Sequence, residues 1–212
     1  TIGNHLSDIL TVNFGVPQGS VLGPKKYCMY SKPIGDIIKK FNLAYHCYAD
    51  DTQIYVSLDT EVGWDQVRKT IERCFTEINS WMIANMLKLN NDKTEFIIFA
   101  PTHQNTPPHE LQLQGITVAS TENVKNLGVW LDTSLSMERH ISNVTRSSYY
   151  NIRNISHIRK YITEDACKTL IQGAVISNLD YCNALLYGLP QTQISRLQKI
   201  QNSCARLICR TN

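Results

Sequence analysis

The chain has no uninterrupted apolar run of about eighteen residues, so no segment is long enough to cross a bilayer as a helix. It has no Cys-x-x-Cys pair either: its seven cysteines stand at 28, 47, 74, 167, 182, 204 and 209. An odd, scattered set excludes a disulfide framework and points to reduced thiols in an intracellular setting, cytoplasmic or nuclear. No histidine follows Cys204 and Cys209, which favours core thiols there over the start of a zinc cluster. The segment Thr1-Ile-Gly-Asn-His5 lacks the pattern of a signal peptide and an initiator methionine, so the chain reads as a fragment. Internal repeats and low-complexity stretches are missing too. With 42% hydrophobic and 18% charged residues the composition excludes a disordered chain. A length of 212 residues allows one large or two small domains.

What is present begins with charge. Residues 1–132 carry 11 Lys+Arg against 14 Asp+Glu, a net of −3, and residues 133–212 carry 10 against 4, a net of +6. The overall +3 therefore hides an acidic part and a basic part. Such a division suits a metal-binding region followed by one that meets phosphates.

Within the acidic part, Leu43–Tyr48 and Thr52–Leu58 are rich in aromatic and β-branched residues and read as strands. Ala49, Asp50 and Asp51 between them form the turn of a hairpin. Two adjacent carboxylates repel each other, and a hard divalent cation removes that penalty. The competing reading is that Asp-Asp is ordinary turn chemistry. Upstream, Gly15 and Gly19 allow close backbone approach to a ligand, Pro17 stiffens the turn, and Ser20 is placed to cap a helix running to Phe41. An ordinary loop into a helix reads the same way.

Further along, Trp64, Val67, Ile71, Cys74, Ile78 and Trp81 recur at helical intervals, with Thr60 as a candidate cap. Strands are expected near 93–100, 111–114 and 124–131. From Ser136 the pattern is helical. Met137, Ile141, Val144, Ser148, Ile152, Ile155 and Ile158 make one stripe that needs a covering surface. Thr163-Glu164-Asp165 marks a new helix start, and Pro190 with Thr192 a break before the last helix. Arg139, Arg146, Arg153 and Lys160 fall every seventh residue, a step of about 10.5 Å at nearly constant azimuth. The row suits a sugar-phosphate backbone, and also a plain solvated face. Tyr149 and Tyr150 stand at a spacing that favours packing over base stacking.

Five ordered segments carry a resemblance to a known family. Gly15-Val-Pro-Gln-Gly-Ser-Val-Leu-Gly-Pro24, Tyr48-Ala-Asp-Asp51, Trp81 through Phe99, Asn126-Leu-Gly-Val129, and Asp180-Tyr-Cys-Asn183 with Leu197-Gln198 and Gln201-Asn202 resemble, in that order, motifs of the reverse transcriptases of non-LTR (LINE-type) retrotransposons, in the group related to Rex and chicken-repeat elements.

The resemblance implies an α+β fold: a partial reverse-transcriptase palm, an antiparallel sheet with helices, over 1–132, followed by an all-helical thumb-like region over 133–212. It implies RNA-directed DNA polymerase activity by two-metal nucleotidyl transfer, with Mg²⁺ or Mn²⁺ on Asp50 and Asp51. Gly15, Pro17, Gln18, Gly19, Ser20, Tyr48 and Ala49 would then face template and nucleotide, and Lys93 would serve as general acid to the leaving pyrophosphate. An exposed lysine is the commoner fate of such a residue. Leu127 and Gly128 would form the primer grip. Arg139, Arg146, Arg153 and Lys160 would meet the nucleic-acid backbone. The implied partners are an RNA template, a DNA primer and deoxynucleotides, with no membrane.

The family's first metal-binding aspartate lies on a strand upstream of Gly15, and Asp8 lacks that strand's pattern. The expectation is thus a fragment without autonomous activity, whose hairpin presents an unpaired strand edge or an uncovered apolar face. Lys25 and Lys26 stand where the family has bulky apolar residues facing the core, a costly place for cations. The alternatives are a non-catalytic nucleic-acid-binding or interaction module that keeps the fold, and a structural helical scaffold over 133–212.

Overall fold

The structure is a computed structural model that describes residues 19–58, 63–100 and 109–211. These divide into two compact units, one reaching to Lys93 and including Leu111–Thr117, the other made of the remainder. The boundary lies upstream of the charge division at 132/133, because Val129 and Leu131 pack with Met137 and Ile141.

In the first unit, helix α1 (Gly23–Lys40) is followed by strands β1 (Ala44–Tyr48) and β2 (Asp51–Tyr55) and by helix α2 (Trp64–Ala84). Only the second half of α1 is buried, through Ile34, Gly35, Ile37 and Ile38. Gly35 is required there: a Cβ at this position would lie 2.1 Å from the Tyr45 hydroxyl. On α2 the expected stripe is realised, with Val67, Cys74 and Ile78 buried. The core joins Ile34, Ile37, Ile38 and Leu43 to Cys74 and Ile78, with Tyr45 and Ile54 of the strands packed against it. Thr60 lies outside the described residues, and Gly63 is the N-cap of α2.

The first half of α1 differs from expectation. Lys25 and Lys26 are exposed, as are Val21, Leu22 and Met29, so no cation is buried there. Ser20 is not the cap: Leu22 holds that position with no side-chain bond, and Pro24 in the first turn brings no N–H that needs one. The Ser20 carbonyl instead accepts the Gly23 amide at 3.2 Å.

Strands β3 (Glu110–Leu113) and β4 (Ile116–Ala119) pair across Gln114-Gly115, both at positive φ. In the first unit the Gln112 amide donates to Glu72 Oε1 at 2.8 Å. Residues 93–100 do not form the expected strand. Asn91–Lys93 is a 3₁₀ turn, and beyond it only an isolated bridge joins Phe96 to Ser120. The expected single strand over 124–131 is a hairpin, β5 (Asn123–Asn126) and β6 (Val129–Asp132). Among the described residues the strands thus pair as three two-stranded ribbons, not as one antiparallel sheet, in an α+β mixture.

The second unit continues with α3 (Glu138–Ile158), a 3₁₀ turn (Arg159–Tyr161) and α4 (Glu164–Ile171). A π-helical turn (Gln172–Ile176), α5 (Ser177–Asp180), a 3₁₀ turn (Asn183–Leu186) and α6 (Gln191–Cys209) complete it. Thr163 caps α4 by accepting the Ala166 amide at 3.2 Å, as expected. The α3 stripe is covered: Ile155 is buried with Cys167, Ile171, Val175, Leu179, Ile200 and Cys204, while Ile158 at its end is exposed. Cys204 is a core thiol, but Cys209 is exposed on the last turn of α6. No helix among the described residues is long and apolar enough to cross a membrane.

Candidate active site

The hairpin of β1 and β2 is closed by the shortest common turn. Tyr48 pairs with Asp51, which leaves Ala49 and Asp50 as the two turn residues. Ala49 sits at φ +54°, the sign that two-residue hairpin turns demand at that position and that a residue with a Cβ adopts reluctantly. Asp51 is therefore the first residue of a strand. Since side chains alternate along a strand, its register puts it on the face of Tyr48, opposite Tyr45 and Ile54, which reach the core. Asp50 and Asp51 are both exposed, and neither takes part in an ion pair among the described residues. Tyr48 is 62% exposed beside them.

Tyr27 of α1 senses the turn. Burial, followed by the Asp50 carboxylate and the thiols of Cys47 and Cys28, pushes its phenol above the ordinary range. Two hard oxygen donors at an open tip fit a divalent cation in kind. Among the described residues, no group of three or more His, Cys, Asp or Glu gathers around one point.

Gly15, Pro17 and Gln18 lie outside the described residues. Gly19 is described, at φ +86°, and a Cβ added there would meet nothing within 4 Å. Lys93 is exposed at the end of its 3₁₀ turn, and among the described residues it forms no ion pair with Asp50 or Asp51.

In the second unit the structure joins two of the sequence motifs. Leu127 (φ +45°) and Gly128 (φ +88°) form the β5–β6 turn, with the positive φ at both positions that a type I′ turn needs. The Tyr181 hydroxyl donates to the Leu127 carbonyl at 2.6 Å, and its ring would meet a Cβ on Gly128 at 3.4 Å. The Asn126–Val129 turn is thus held by the Asp180–Asn183 segment. Sequence reasoning does not single out Tyr181 as a site residue, and its place in that motif is the only signal for it.

Asp132, at the end of β6, organises the entry to α3. Its carboxylate accepts from the amides of Ser134, Ser136 and Met137 and from the hydroxyls of Ser134 and Ser136, at 2.8 to 3.2 Å. Burial alone would raise its pKa, but the Ser136 amide and the hydroxyls of Ser134 and Ser136, together with the Met137 amide, hold it below the ordinary value. The pattern Asp-x-Ser-x-Ser is its sequence signal.

Arg139, Arg146 and Arg153 stand exposed along α3, and Lys160 follows in the 3₁₀ turn after the helix ends. The Arg139 guanidinium stacks 3.9 Å from the Trp130 ring centroid, and the Lys160 ammonium lies 4.8 Å from that of Tyr161. Tyr149 and Tyr150 do not pack inward as their spacing suggests: they are 42% and 66% exposed. Close by, Arg159 is buried and donates to the carbonyls of Leu207, Ile162 and Ile208 at 2.8 to 3.1 Å, closing the end of α6.

A family model described as "Reverse transcriptase (RNA-dependent DNA polymerase)" matches residues 2–131. Among curated proteins, the chain is 28% identical over 203 residues to the probable RNA-directed DNA polymerase from transposon X-element of Drosophila melanogaster, covering 92% of this chain and 21% of that one. It is 22% identical to the RNA-directed DNA polymerase from mobile element jockey of Drosophila melanogaster, over 98% of this chain and 23% of the relative. The probable RNA-directed DNA polymerase from transposon BS of the same fly is 24% identical, over 98% and 23%. The chain thus spans about a fifth of the length of these relatives. No solved structure matches it. With more than half of its residues under the family model and the motif turn Tyr48–Asp51 inside that span, the chain belongs to the reverse transcriptase (RNA-dependent DNA polymerase) family.

Proposed function

We propose that the chain is part of the RNA-directed DNA polymerase of a LINE-type, non-LTR retrotransposon, which adds deoxynucleotides to a primer along an RNA template. The observation that carries this reading is the exposed pair Asp50 and Asp51 at a two-residue hairpin turn, with no ion pair to neutralise it among the described residues. Asp50 and Asp51 would hold Mg²⁺ or Mn²⁺, which when bound would make the primer hydroxyl a stronger nucleophile by lowering its pKa and would offset the negative charge on the leaving pyrophosphate. Asp50, in the turn itself, would be the principal ligand, and Asp51, the first residue of β2 on the face of Tyr48, the secondary one. Gln18 and Gly19 with Tyr48 and Ala49 border template and nucleotide, and Lys93 supplies a proton to the departing pyrophosphate. Leu127 and Gly128 seat the primer end. Arg139, Arg146, Arg153 and Lys160 hold the backbone of the hybrid. In these terms the first unit is palm, and α3 to α6 are thumb-like.

The test is primer extension on an RNA template with Mg²⁺, using this chain and the chain joined to the upstream region of a relative. The chain alone, whose described residues offer candidate ligands from one hairpin, is expected to be inactive. The joined protein extends the primer, Asp50→Asn abolishes extension, and Asp51→Asn reduces it less. Synthesis by the joined Asp50→Asn protein would overturn the assignment. A second reading, a nucleic-acid-binding module without turnover, is favoured by the fact that no third candidate ligand joins the pair among the described residues. It predicts RNA binding without extension in the joined protein.

A further inference from the structure

The exposed face of α3 is not purely basic. At about 100° per residue, Arg139, Arg146, Tyr150, Arg153 and His157 fall within about 60° of one another. The buried Ile141, Ser148 and Ile155 lie on the opposite side of the helix. Tyr149 flanks the row, one turn from both Arg146 and Arg153. A hollow of about 510 Å³ is lined by Tyr149, Tyr150, Ile152, Arg153 and Ser156.

We propose that Tyr149 and Tyr150, set between Arg146 and Arg153, form a stacking site for unpaired bases of a single-stranded nucleic acid. Three observations combine. Two neighbouring tyrosines expose 42% and 66% of their surface on a helix whose apolar stripe is covered except at Ile158, at its end. Cations stand one helical turn before and after them, and none of Arg139, Arg146, Arg153 and Lys160 is neutralised in an ion pair among the described residues. The region from 133 onward carries a net charge of +6, which complements a phosphate strand. A row of cations alone would track a duplex or a hybrid equally well. A base-paired strand keeps its bases stacked inside, so exposed rings gain nothing from it. An unpaired strand offers a π-face for every base, and cations beside the rings take the phosphates. The inference goes beyond the polymerase reading, since it needs neither metal nor nucleotide.

Binding is measured by fluorescence anisotropy without Mg²⁺, using end-labelled oligouridine, oligodeoxythymidine and an RNA–DNA hybrid of equal length. Replacing Tyr149→Ala and Tyr150→Ala together should weaken single-strand binding about tenfold at every salt concentration, leaving the salt slope and hybrid binding unchanged. Tyr149→Phe with Tyr150→Phe keeps both rings and should bind as the unmodified chain does, which separates stacking from misfolding. Arg146→Gln with Arg153→Gln should instead flatten the salt slope by about 1.4, the share of two phosphates on a single strand. Loss in the Ala pair on RNA and DNA alike supports stacking alone, and a larger loss on RNA adds a contact to the 2′-hydroxyl. Unchanged single-strand affinity in the Ala pair would overturn the site. So would an equal loss on the hybrid, or a loss of self-association in sedimentation with RNA binding intact. Failure of the Asp50 reading leaves these outcomes untouched, because no catalysis is measured.

Discussion

Replacing Asp132 by alanine removes the acceptor for five donors at the junction of β6 and α3. Three of them are backbone amides of the segment that enters the helix, and Met137, the N-cap, holds a left-handed conformation at φ +59°. The side chain is partly exposed, so water replaces some of these bonds, and the cost stays near that of losing a strong helix cap, about 1 to 2 kcal/mol. Asp132→Asn keeps one accepting oxygen but loses the charge, and should cost about half as much. The sign of the pH dependence follows from the lowered folded-state pKa. Such a carboxylate contributes stability that is fully present above its unfolded pKa and lost as pH falls through its folded one. Urea unfolding of the chain and of Asp132→Ala at neutral pH should therefore differ by about 1 to 2 kcal/mol. In acid the gap should narrow, because only the unmodified chain loses its carboxylate. A difference below about 0.3 kcal/mol at neutral pH, or one that stays constant into acid, would refute the capping argument.

Tyr181→Phe removes only the donor to the Leu127 carbonyl and should cost about 1 kcal/mol in urea unfolding. No change there would mean that the turn is held by ring contact alone. Arg159→Met keeps the bulk of the stem but leaves three carbonyls without their donor, and should cost about 2 to 3 kcal/mol. A variant as stable as the parent would show that water serves those carbonyls equally well. Toward a thiol reagent, the exposed Cys28, Cys47, Cys182 and Cys209 should react fast, and Cys74, Cys167 and Cys204 only on unfolding. Burial, reinforced by Glu77, pushes the Cys74 thiol up to about 11, so a rapid reaction there at neutral pH would contradict the packing of α2.

Helices are the legible part of the sequence, because a stripe such as Val67, Cys74 and Ile78 needs only one covered side to be informative. Strands are legible where both sides of a turn carry the signal, as at Tyr48 to Asp51. They are misread where composition stands in for pairing. Thr94–Ala100 has strand residues, yet the described ladder there is a single bridge from Phe96. Residues 124–131 read as one run because Leu127, in a conformation that leucine seldom takes, hides the turn that Gly128 marks. Tyr149 and Tyr150 have helical spacing, but spacing alone does not say which side of a helix a neighbour will cover. At the candidate site the residue types are readable. What is not readable is that Asp50 belongs to the turn while Asp51 belongs to the strand, which only pairing register decides.

The wide turn between α4 and α5 acts as a phase corrector. Cys167, Ile171, Val175 and Leu179 are all buried at a constant step of four residues, yet in a regular helix that step precesses by about 40° each time, or about 120° over three. The π-helical turn at Gln172–Ile176 absorbs the drift, and the Ala174 carbonyl within it is met by the side-chain amides of Asn151 and Asn178 at 2.9 and 3.0 Å. Shortening it by one residue would rotate everything downstream by about 100°. Tyr181 lies two residues past Leu179, so the extra residue sets the angle at which its hydroxyl meets the Leu127 turn. A loss or gain of one codon in this stretch would thus be felt at a hairpin more than forty positions earlier in the chain.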